Sequence, residues 1–163
     1  AQASFENTLA EESPTEKEGA LLFDNQNITI GFTGYGPGKE HPGTLTVQSA
    51  DLVQNENGDV RGTIVVDMNS INADVPAVSA HLKRKDFFDV ALYPTTTFIV
   101  SSLKDSTVSG KMTLRGITKD ISFPVVKTEN TYTAEFRVNM EEFGIKQTFA
   151  NNEFVVRVVV PFK

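Results

Sequence analysis

The chain has 163 residues and a formal net charge of −6, which is enough length to bury one sizeable core and suggests a single domain. The acidic balance argues against a nucleic-acid partner, because phosphate neutralisation needs a basic face. With no cysteine, disulfides, thiolate nucleophiles and zinc–sulfur sites are excluded.

Residues 1–19 are small, polar and acidic, too poor in apolar groups to offset the entropy of ordering, and are expected to be a flexible N-terminal tail. The chain starts with neither an initiator Met nor a basic-then-apolar leader, so it is expected to be a processed or truncated form. Residues 20–163 are expected to be the folded domain. Its apolar residues alternate with period two in eight runs, at about 26–33, 43–50, 58–68, 95–103, 106–115, 118–127, 130–139 and 153–162. No run approaches the roughly 20 apolar residues of a membrane helix. Short turn signals separate many of the runs, including Asn55-Glu-Asn-Gly58, Lys104-Asp-Ser106, Gly116 and Thr128-Glu-Asn130. This pattern predicts an all-β antiparallel meander that closes on itself or folds into two packed sheets, since either hides the edges.

The stretch from about 70 to 94 breaks the rhythm. Asp74 can cap a helix, Pro76 suits a first turn, and Val75, Val78 and Leu82 recur at helical spacing. Lys83, Arg84 and Lys85 complement the negative end of that short helix, and Pro94 returns the chain to extended geometry. Phe87 and Phe88 fall between helix and strand, where one ring is expected to plug an end of the barrel or sandwich and the other can line a pocket mouth.

Taking the apolar parity of each run as inward places Phe32, Leu45, Ile64, Met68, Phe98, Met112, Leu114 and Phe136 on an interior wall, with Gly62, Gly110 and Ala134 expected to leave room between bulkier groups. A filled core of ordinary Phe and Met residues is the competing reading. Catalytic constellations are missing. His41 and His81 have no third metal-ligand partner at metal-site spacing, and no G-x-S-x-G elbow occurs. Gly34-Tyr-Gly-Pro-Gly-Lys39 matches no phosphate-loop pattern and reads as a flexible hairpin turn, and the pairs Asp86/Asp89 and Glu141/Glu142 lie too near turns for acid–base work. The expectation is a protein that is not an enzyme and requires no cofactor.

His81-Leu-Lys-Arg-Lys-Asp-Phe-Phe-Asp-Val-Ala-Leu-Tyr-Pro94 resembles the HL-x-x-x-DFFD-x-x-x-YP segment of the YceI-like family. In the expected order, Val108-Ser-Gly-Lys-Met-Thr-Leu-Arg-Gly-Ile-Thr-Lys119 is similar to that family's V-x-G-x-LT-x-RG-x-T hairpin and Glu142-Phe-Gly-Ile145 to its D-FGI segment, with Asn69-Ser-Ile71 at a family turn. The chain departs from the pattern at Ala80, at Met140 and in the glycine-rich stretch 32–43. The resemblance implies an eight-stranded antiparallel lipocalin-like barrel with one short α-helix near one end. It also implies an exported, periplasmic or envelope-associated protein whose hydrophobic pore holds a polyisoprenoid or isoprenoid quinone. Phe87, Phe88, Gly110 and Phe143 join the wall residues as candidate ligand-binding positions, with no catalytic or metal site. Tyr35, Lys39, His41, Arg115 and Lys119 are candidates for polar selectivity near a mouth. Peripheral membrane contact and a homodimer stay open as partners, and the alternative function is a protein–protein interaction or stress-related module with a filled barrel and an outer face around Ile99, Val155 and Val159.

Overall fold

The computed structural model describes residues 22–36, 38–146 and 152–163. The tail assigned to residues 1–19 lies outside the described residues. Strands β1 (Thr29–Gly36), β2 (Lys39–Ala50), β3 (Val53–Gln54) and β4 (Val60–Ala73) precede helix α1 (Pro76–Leu82). Then follow β5 (Thr95–Lys104), β6 (Thr107–Leu114), β7 (Ile117–Lys127), β8 (Thr131–Asn139), a 3₁₀ turn at Met140–Phe143 and β9 (Glu153–Pro161). Each long strand pairs antiparallel with the next, β4 pairs back onto β2, and β9 returns to β1, so eight strands close a barrel and two-residue β3 is a side pairing on β4. Closure removes the exposed edges that an open meander would leave.

Register shows which face is inside. Partners directly opposite one another share a face of the sheet, and Ile64, Phe98 and Met112 are successive partners across β4, β5 and β6. Leu45, Ile30, Val158 and Ala134 form a second such row through β2, β1, β9 and β8. Both rows point inward, which is the period-two pattern turned into a cylinder wall.

Several sequence expectations need correction. β1 ends at Gly36 and β2 begins at Lys39, with Gly34 opposite His41 and Tyr35 opposite Glu40, so most of the glycine-rich stretch is paired strand. Asn69-Ser-Ile71 is not a turn, because β4 runs on to Ala73. The irregularity there is a register shift between β2 and β4, at which Ser70 Oγ donates to the Asp67 carbonyl and accepts from Thr46 N–H. Asp74 does not cap α1; Val75 holds that position without a side-chain hydrogen bond. The Asp74 carboxylate lies 2.9 Å from His41 Nδ1 instead and ties the β1–β2 hairpin to the start of the helix. Leu82 is buried and Val78 packs beside it, so α1 covers one end of the barrel with its apolar stripe.

Candidate ligand-binding site

The barrel encloses a cavity of about 160 Å³. Its wall is apolar apart from Thr96 and Tyr132. Phe98, Ile121, Phe136, Val156 and Val158 sit mid-strand on the inward face yet are only half-buried, because part of each side chain faces empty space. Dry apolar cavities of roughly 150 Å³ are known to accept a benzene-sized guest. A longer tail fitting this barrel must also displace side chains at an end or at the wall.

Nine predicted positions line the cavity. Phe32, Leu45, Ile64 and Met68 come from β1, β2 and β4; Phe98, Met112 and Leu114 from β5 and β6; Phe88 and Phe136 complete the set. Phe143 is buried beneath the 3₁₀ turn and is not in the cavity wall, and Phe87 lies on the far side of the Phe plug. Gly110 does not leave space for a guest. A Cβ there would collide with the Ile99 carbonyl oxygen, so the glycine is required by backbone packing beside the β5–β6 register shift. Gly62 behaves alike, with φ of 142° and a Cβ position 2.7 Å from the Asp51 carbonyl oxygen. Ala134 does face the cavity. Thr96 and Tyr132 share the inward parity of Phe98 and Ala134 but are polar, and polarity alone hid them from an apolar count.

The helix end is closed by rings. Phe154 lies 5.7 Å from Phe32, 5.7 Å from Phe87 and 5.9 Å from Phe88, and Phe87 meets Phe88 edge-on at 4.8 Å. Both paired phenylalanines are buried, Phe88 facing the cavity and Phe87 a second cleft beneath α1. Two glycines make this plug fit: a Cβ on Gly34 would come 2.8 Å from the Phe154 ring, and one on Gly43 would strike the Phe32 ring. The cleft, about 260 Å³, is separated from the main cavity by Phe32, Met140 and Phe154 and carries Tyr35, His41, His81 and Asn152.

The opposite end is closed by Phe23, Tyr132 and Phe162, whose ring centroids lie 5.4 to 6.1 Å apart. Here polar groups hold the closure. Buried Gln54 donates to Tyr132 Oη at 3.2 Å and to the Gly58 carbonyl at 2.9 Å, and Asn25 brackets the backbone of Leu52 with two bonds of 3.0 Å.

The polar candidates divide into two groups. Tyr35, Lys39 and His41 belong to the β1–β2 hairpin, and Arg115 and Lys119 to the turn and strand after β6. Arg115 donates from Nη2 to the Lys85 carbonyl and sits 6.0 Å above the Tyr93 ring, joining that turn to the segment after α1. The two histidines are separately engaged, His41 with Asp74 and His81 against the Phe87 ring. Among the described residues no cluster of three or more His, Cys, Asp or Glu could hold a metal ion.

Residues 21–162 match the model of the YceI-like domain. Protein YceI of Escherichia coli O17:K52:H18 is 28% identical over 154 residues, covering 85% of this chain and 78% of that one. Protein YceI of Salmonella arizonae is 26% identical over 153 residues, covering 84% and 78%. Among solved structures, Burkholderia cenocepacia BcnA superposes with a TM-score of 0.72 at 16% identity, over 85% of this chain and 98% of that one. A polyisoprenoid binding domain from Saccharophagus degradans superposes with a TM-score of 0.60 at 13% identity, over 90% and 99%.

Proposed function

Because the chain belongs to the YceI-like family, we propose that it is a non-catalytic carrier or scavenger that encloses the tail of a long-chain isoprenoid-like amphiphile, a polyisoprenoid or an isoprenoid quinone. The observation that carries this reading is the cavity itself, bounded by inward rows of Ile, Val, Leu, Phe and Met and left unfilled by them. Removing apolar surface of such a tail from water contributes roughly 25 cal/mol per Å² before ordering costs are subtracted. Affinity then depends on tail bulk and tolerates changes in tail length. The polyisoprenoid binding domain with the same fold supports the choice of ligand class. No helix of the described residues is long and apolar enough to cross a membrane, and the family resemblance favours an exported protein of the periplasm or envelope that meets its ligand at a membrane surface.

Native mass spectrometry after gentle purification from the producing cell tests the proposal. A mass increment that organic extraction resolves into a polyprenyl lipid or quinone supports it. Protein that is consistently ligand-free and does not take up added geranylgeraniol favours a solid interaction module instead, with exposed Ile99 and half-buried Val155 and Val159 on its outer face.

A further inference from the structure

The barrel wall is not uniform around its circumference. The β6–β7 ladder has eight register pairs and β8–β9 has nine, whereas the β7–β8 ladder between them has three, Val125 with Ala134, Val126 with Thr133 and Lys127 with Tyr132. Pro124 explains where it stops. Val125 N–H donates to the Ser106 carbonyl on the β6 side, and successive amides of a strand point to opposite neighbours, so the Pro124 nitrogen faces β8 and has no hydrogen to offer. Just beyond, the Phe123 and Phe136 rings stack in parallel at 4.0 Å and an interplanar angle of 6°, so side chains bridge the wall where the backbone pairing has ended.

Above that stack the seam carries positive charge. Lys119 is the cross-strand partner of buried Met112, and therefore continues the inward row of Ile64, Phe98 and Met112. A lysine on the interior face of an unbroken apolar wall would be desolvated, yet Lys119 is exposed near the start of β7, where no β8 residue is paired beside it. Arg115 stands at the upper limit, where a Cβ on Gly144 would lie 3.5 Å from both Arg115 Nη1 and Ile117 Cδ1. The Arg115 Nε is buried and has no hydrogen-bond partner among the described residues, an unmet donor that an anion would satisfy once the side chain shifts to meet it. The nearby carboxylate of Asp120 is already held by Lys111 at 2.6 Å.

We propose that the β7–β8 seam is a head-group site for an anionic amphiphile, with a phosphate or carboxylate held by Lys119 and Arg115 and the tail passing beside the Phe123–Phe136 stack into the barrel. The proposal rests on the carrier reading and adds the charge class of the ligand and the place where it is held. The cleft beneath α1, lined by Tyr35, His41 and His81, is then not the head-group site.

Calorimetric titration with farnesyl phosphate and farnesol, which have the same tail, tests it on the full chain. The wild type is expected to prefer the phosphate by about tenfold. Lys119→Gln equalises the two probes by weakening only the phosphate, Arg115→Gln does the same if it folds, and His41→Gln keeps the preference. Inorganic phosphate at the same concentration fails to displace farnesyl phosphate, which separates a lipid head group from a free anion. A preference that survives Lys119→Gln, or one that vanishes in His41→Gln, overturns the seam assignment while leaving the carrier standing. Binding of neither probe to the wild type overturns the carrier reading and the seam site with it.

Discussion

The two ends of the barrel are closed by similar numbers of aromatic rings and by different physics. At the helix end, Phe32, Phe87, Phe88 and Phe154 pack on one another, with the His81 ring edge-on to Phe87, and no hydrogen bond ties the four rings in place. At the other end, Tyr132, packed with Phe23 and Phe162, is tied by Gln54 across 78 positions of sequence, and Asn25 holds the Leu52 backbone across 27. A ring contact that is lost can be remade in another offset or edge-on arrangement, whereas a buried hydrogen bond that is broken leaves both partners unpaired. Of the two ends, the helix end is therefore the one whose closure can rearrange, and the opposite end is a fixed floor.

Substitutions can break this contrast. Phe154→Ala removes the ring common to the plug and merges the two cavities; it is expected to destabilise by about 3–5 kcal/mol, read as a lower urea midpoint. A loss below about 1 kcal/mol would mean that the plug is not a packed unit. Asn25→Ala unties Leu52 and is expected to cost about 2 kcal/mol, with faster amide exchange confined to the floor. Tyr132→Phe keeps the ring and removes one acceptor, while Gln54 retains its bond to Gly58; about 1 kcal/mol is expected, and no change at all would show that the floor is held by rings like the other end. His41→Asn, which loosens the partly exposed pair with Asp74, should cost no more than about 0.5 kcal/mol and sharpens the comparison by showing that polar contacts at the helix end matter little.

The period-two runs made the eight strands legible because each strand has one apolar face, and the inward rows through Ile64 and Phe98 follow directly from it. Glycine was the least legible residue. Gly34 looks like a turn residue in a linear reading, yet it lies in a strand whose backbone the Phe154 ring covers, as the Phe32 ring covers Gly43. Gly62 and Gly110 look like spare volume and are in fact sites of close backbone approach. Pro124 is visible in the sequence, but which neighbour its nitrogen faces depends on register, and register is a property of the closed sheet. The same holds for Lys119, whose inward placement emerges only from its pairing with Met112. Asp74 fitted a capping pattern and went to His41 instead, a partner 33 positions away that local spacing cannot reveal.

The unfilled interior is the claim on which the function depends, and a substitution that fills it tests it most directly. Val158 is half-buried, lies mid-strand on the cavity wall and pairs with Ile30 and Ala134, so Val158→Phe adds volume without meeting the backbone constraints that rule out Gly110. Equilibrium uptake of radiolabelled geranylgeraniol is to be compared between this variant and the wild type. At least tenfold weaker uptake, with a thermal midpoint unchanged or raised, is the expected result; full uptake by a variant that remains folded would contradict a ligand chamber inside the barrel.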